Sequence, residues 1–93
     1  MMTHRLLEIL KTRTVMFDGG MGSMLIARGL GPGESPETWN LENPDAVAEV
    51  QRLYYEARAD VVHTNSFGGS PIKLADRGLA DQAERINRRA AEI

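Results

Sequence analysis

Two short segments bring polar groups and glycine together. Asp18-Gly19-Gly20-Met21-Gly22-Ser23 follows the apolar run Thr14-Val15-Met16-Phe17, and Thr64-Asn65-Ser66-Phe67-Gly68-Gly69 follows Asp60-Val61-Val62-His63. An acid at a strand end can accept a hydrogen bond from a ligand ammonium. Neighbouring glycines let the backbone come close and turn N–H groups toward a carboxylate. A plain Asp-Gly turn opening a helix fits Asp18 and Gly19 equally well. Thr64, Asn65 and Ser66 carry donors and acceptors that either bind a ligand or cap the next turn. The glycines directly after them favour a ligand. Phe67 is a residue type that more often packs than recognises.

His63 titrates near neutral pH, but alternation gives it the facing of Val61, so a satisfied structural histidine is the expectation. His4, near the terminus, is expected in solvent. Trp39, within Pro36-Glu37-Thr38-Trp39-Asn40, would cover the end of a sheet or form a lid over the pocket. No G-x-G-x-x-G is present, because Leu25 stands at its last position, and no phosphate-loop pattern with Lys occurs. No spacing of His, Asp and Glu makes a metal site by itself, and the chain contains no Cys.

These segments need elements to hold them. Thr3 is placed to cap a helix reaching about Lys11, with Leu6, Leu7 and Leu10 as its apolar stripe. Thr14–Phe17 reads as a buried strand and Met21–Arg28 as a short helix closed by Gly29. Pro44–Arg58 is the clearest helix, with Asn43 at the N-cap, Pro44 at the first position and Asp45 near the positive dipole end. Val47, Val50, Tyr54 and Ala57 recur at helical spacing. A second strand, Asp60–Thr64, follows at once. The last helix starts near Asp81 with Glu84 three residues on, as in a capping box, and Ala83, Ile86, Ala90 and Ile93 form its stripe. Its charges, with pairs such as Glu84–Arg88, read as a solvated face.

Strands separated by helical crossovers predict parallel pairing and an α/β fold, with ligands at the carboxyl ends of the strands. Two strands do not make a covered sheet, and the helical pattern runs to Ile93 without a stop signal. The chain therefore reads as the front piece of a larger α/β domain.

Composition limits the function. The 93 residues carry 11 Lys and Arg against 13 Asp and Glu, so there is no clustered positive charge to bind nucleic acid or an anionic membrane. With 42% hydrophobic residues, a folded globular domain is expected rather than disorder. No apolar run is long enough to span a bilayer and no signal peptide is evident, so a cytoplasmic location is expected.

Val15-Met16-Phe17-Asp18-Gly19-Gly20-Met21-Gly22-Ser23-Met24-Leu25 resembles the opening of the homocysteine S-methyltransferase family, which takes in the homocysteine-binding domains of methionine synthase and betaine–homocysteine methyltransferase. Asn40-Leu41-Glu42-Asn43-Pro44, Tyr55-Glu56-Ala57-Arg58-Ala59-Asp60, His63–Gly69, Lys73-Leu74 and Gly78-Leu79 match the same pattern, in order, over nearly the whole chain. The resemblance implies the N-terminal part of a (β/α)8 TIM barrel, a fold of about 250 residues, with residues 1–93 as one fragment of the homocysteine-binding domain. It implies substrate binding by Asp18, Gly19 and Gly20, joined by Thr64, Asn65 and Phe67. It also implies zinc, held by three cysteines on later strands, which keeps the homocysteine sulfur as a thiolate for attack on an activated methyl group to give methionine.

Those cysteines have no counterpart here, so no catalytic residue or metal ligand is assigned and methyl transfer by this chain alone is not expected. Cobalamin or folate would enter through other modules. The methyl donor stays open among betaine, methylcobalamin, S-methylmethionine and a methyl-folate relay. Arg58 stands where the family commonly has Gly, and Ser66 where Thr is common. Implied partners are homocysteine and a methyl donor, with self-association or the remainder of the barrel covering the exposed strands. Two other readings stay open: a non-catalytic, self-associating α/β module and a small anion-binding domain.

Overall fold

The computed structural model describes residues 2–93, with side chains from Arg5 onward. The side chains of Thr3 and His4, and the roles expected of them, lie outside the described residues. Six α-helices follow one another: α1 (Met2–Leu10), α2 (Gly22–Ile26), α3 (Trp39–Glu42), α4 (Pro44–Glu56), α5 (Pro71–Ala75) and α6 (Ala83–Glu92). Two 3-10 turns, Pro36–Thr38 and Ala80–Gln82, lead into α3 and α6.

The expected α/β fold with two parallel strands, and with it the partial TIM barrel, is corrected by this architecture. Among the described residues there is no strand and no sheet, only one isolated parallel bridge between Phe17 and Val61. Side chains intercept the ladder on both sides of that bridge. Below it, the Asp60 carboxylate accepts from the Met16 N–H (2.9 Å), while the N–H of Asp60 donates back to the Met16 carbonyl (2.7 Å). Above it, the N–H of Asp18 donates to the Val61 carbonyl (3.0 Å), but the N–H of His63 turns to the Asp18 side chain (3.0 Å) instead of a main-chain carbonyl. Competition of this kind between Asp side chains and backbone partners is what shortens regular structure.

The main core packs α2 against α4 through Leu25, Val47 and Val50, all fully buried, with Leu30, Trp39 and Ala46. Trp39 is thus a core residue, 8% exposed, and neither a sheet cover nor a lid. A second cluster joins Leu74 of α5 to Ala83 and Ile86 of α6. The stripe of α1 is poorly covered, with Leu6 half-buried and Leu7 and Leu10 exposed. No helix among the described residues is long and apolar enough to cross a membrane.

Helix ends differ from expectation in instructive ways. Asn43 occupies the N-cap of α4 without a side-chain cap bond. Asp81 falls inside a 3-10 turn, and Glu84 pairs forward with Arg88 instead of back with Asp81. α5 was not anticipated; Ser70 accepts from the Lys73 N–H (3.1 Å) and Pro71 takes the first position. Three exits share one closure, in which an N–H donates to the carbonyl five residues back: Leu30 to Leu25, Ala59 to Tyr54 and Leu79 to Leu74. Each needs a residue with positive φ, supplied by Gly29, Arg58 and Gly78. The family's glycine at the Arg58 position suits that backbone; here Arg58 adopts φ 80° at a steric cost.

Candidate functional site

The loop that follows Phe17 and the loop that follows Val62 converge on one cavity of about 500 Å³. All six residues expected at the site, Asp18, Gly19, Gly20, Thr64, Asn65 and Phe67, lie on its wall. His63, Ser66, Met21, Gly22, Pro36 and Glu37 complete it.

On the first wall, Asp18 is held from two sides by one residue. Its Oδ2 accepts from the His63 N–H (3.0 Å), and its Oδ1 lies 2.6 Å from His63 Nδ1. The Asp18 side chain is 3% exposed and the His63 side chain 67%. A neutral ring donating from Nδ1 leaves Nε2 as an acceptor. His63 is therefore not a core histidine; its ring lies over the carboxylate, tilted against Phe17 at 5.3 Å between centroids. The Tyr54 hydroxyl donates to the Gly20 carbonyl (2.7 Å) and packs against Gly19, where an added Cβ would stand 3.0 Å from the phenol oxygen. The N–H groups of Gly19 and Gly20 have no partner among the described residues.

The second wall is anchored from beneath. Asn65, 3% exposed, donates from its amide to the Pro36 carbonyl (2.9 Å) and to Asn40 Oδ1 (3.0 Å). Asn40, fully buried, donates to the carbonyls of Asn65 (2.9 Å) and Ile86 (3.2 Å). Both donors of the Asn65 amide are thus spent inside the protein, and its oxygen has no partner among the described residues. The Thr64 and Ser66 hydroxyls bond one another (2.6 Å). Phe67 is fully exposed at the rim and packs on nothing.

Glu37 is the wall residue that sequence reasoning missed. It is 5% exposed, and its Oε1 accepts from the Ser35 hydroxyl (3.1 Å). Gly68 gives it room, since a Cβ there would stand 2.4 Å from Oε1. Ser35-Pro36-Glu37 reads as the opening of a helical turn, and nothing in it signals burial.

No Lys or Arg lines the cavity. A zinc ion of the kind the resemblance implies takes several thiolate or imidazole donors. The chain has no Cys, and no three His, Asp or Glu side chains converge among the described residues, so the residues present do not fit zinc.

Comparison with known proteins agrees with the motifs. The family model described as homocysteine S-methyltransferase matches residues 15–93. The chain is 34% identical over 94 residues to the methionine synthase of Mycobacterium tuberculosis (strain ATCC 25618 / H37Rv), covering 95% of this chain and 8% of that protein. It is 35% identical over 94 residues to the methionine synthase of Mycobacterium leprae (strain TN), with the same coverage. The chain thus spans about 8% of the length of these relatives. A match through both cavity walls and the helices between them establishes that the chain belongs to the homocysteine S-methyltransferase family.

Proposed function

We propose that the cavity binds homocysteine and that the chain serves methyl transfer to the homocysteine sulfur as part of its substrate site. The observation that carries this reading is the meeting of Asp18-Gly19-Gly20 with Thr64–Phe67, two stretches far apart in sequence, around one cavity. Its volume lies within the range of about 300–1,000 Å³ usual for small-molecule sites.

An amino acid has complementary partners there. The Asp18 carboxylate accepts the α-ammonium, and the free N–H groups of Gly19 and Gly20 receive the α-carboxylate. Met21, Pro36 and Phe67 provide apolar surface for the methylenes and sulfur. The exposed His63 ring turns aside from Oδ1 as the ammonium arrives, while the His63 N–H keeps Oδ2 in place. Zinc in the family supplies sulfur activation; this chain's residues bind and orient.

Calorimetric titration of the chain with homocysteine tests this. Saturable binding is expected, and Asp18→Asn should weaken it about tenfold or more, the usual loss for a charged hydrogen bond. No binding by the wild-type chain, or equal affinity in D18N, would overturn it. The small anion-binding alternative is disfavoured by a cavity lined with two carboxylates and no Lys or Arg.

A further inference from the structure

Glu37 is a mostly buried acid on the cavity wall with a single protein partner. The residue is 5% exposed, the one protein partner of its carboxylate is the neutral Ser35 hydroxyl, and it forms no ion pair among the described residues. An ionised carboxylate out of water is costly unless a cation or several donors face it. Oε2 has no partner among the described residues and is not fully enclosed, and Glu37 lines the cavity.

The same cavity presents Asp18 on its other wall, together with the Asn65 amide oxygen, whose donors are spent inward. These side chains offer acceptors, and no Lys or Arg lines the cavity to meet them. A permanent cation is the missing complement, and it must come with the ligand.

We propose that Glu37 is a second acceptor for the ligand's ammonium and the residue that makes the site select an amino acid over the matching mercapto acid. This rests on the reading of the cavity as a homocysteine site. Asp18 alone would bind the ammonium at the surface of the first wall. Glu37 meets it from the opposite side and gives the buried carboxylate its counter-charge. A ligand lacking the amino group leaves Glu37 unpaired and is disfavoured for that reason.

The test compares homocysteine with γ-mercaptobutanoate, the same molecule without the amino group, by calorimetry on the 93-residue chain. Glu37→Gln should weaken homocysteine about tenfold and leave γ-mercaptobutanoate unchanged or tighter, so the ratio of the two affinities collapses. A residue that only shapes the wall would lower both affinities together, and that result overturns the proposal. Should E37Q fail to fold by circular dichroism, Glu37→Asp carries the test. Withdrawing the carboxylate by one methylene must then lower the same ratio, and an unchanged ratio overturns the proposal. Wild-type chain that binds no homocysteine overturns both this and the site reading. An unchanged ratio in E37Q, with binding lost in D18N, overturns the role of Glu37 alone.

Discussion

The two walls of the cavity are built by opposite means. The Asn65 wall is locked to the interior: four hydrogen bonds join Asn40, Asn65, Pro36 and Ile86, three of them buried and the one to Pro36 partly so. The Asp18 wall is glycine-rich and held at its surface, by the Tyr54 hydroxyl on Gly20 and by the exposed His63 ring. Buried amide networks fix a geometry because losing one partner strands the others away from water. Exposed single bonds exchange with water at little cost. The protein thus sets a rigid wall against an adjustable one, and the adjustable one carries the carboxylate assigned to the ligand.

Breaking the rigid wall should have the largest effect. Asn40→Ala removes the two bonds Asn40 donates and the one it accepts, and leaves the Asn65 carbonyl and one Asn65 amide N–H unsatisfied in the interior. A loss of about 2–4 kcal/mol is expected, read as a lower denaturant midpoint, with homocysteine binding lost as well. A midpoint within error of wild type would show that the network does not anchor the wall. Loosening the adjustable wall should cost less. Tyr54→Phe deletes one hydrogen bond, worth about 1 kcal/mol, and should weaken binding several-fold while melting stays cooperative. Equal stability losses in the two variants would erase the contrast.

The smallest effect concerns the root of the Asp18 wall. The hydrogen bond from the Arg13 guanidinium, joined by the Met16 N–H, holds the Asp60 carboxyl below the ordinary carboxylate range. A carboxyl depressed in the folded state adds stability that is complete above its unfolded value and fades as pH falls through the lowered folded value. The stability difference between wild type and Asp60→Asn should therefore be constant near neutrality and shrink below about pH 4. A difference that grows on acidification would reverse the assignment.

The cavity was more legible in the sequence than the fold around it. Asp18-Gly19-Gly20 and Thr64–Phe67 announce themselves because glycine beside polar groups is rare outside turns and sites. The helix from Pro44 was legible from its proline, its first-turn acid and its periodic valines. The strands were misread because the apolar runs gave no sign that Asp18 and Asp60 would take the main-chain donors a ladder requires. Trp39 read as a sheet cover or a lid, but with no sheet to cover it packs in the core with Val47 and Val50, a contact between separate helices. The start of α5 was visible in Ser70-Pro71, a capping residue followed by proline, and was passed over for the glycines before it. Burial of Glu37 and the pairing of Asn40 with Asn65 depend on contacts between distant residues, which no local pattern encodes.

Gly68 has a consequence for any effort to retune the protein. A methyl group there would collide only with the tip of a flexible side chain, Glu37, rather than with backbone. Such a change would displace the Glu37 carboxylate from its seat beside Ser35. Under the proposed role of Glu37, position 68 would tune ligand preference through that one side chain.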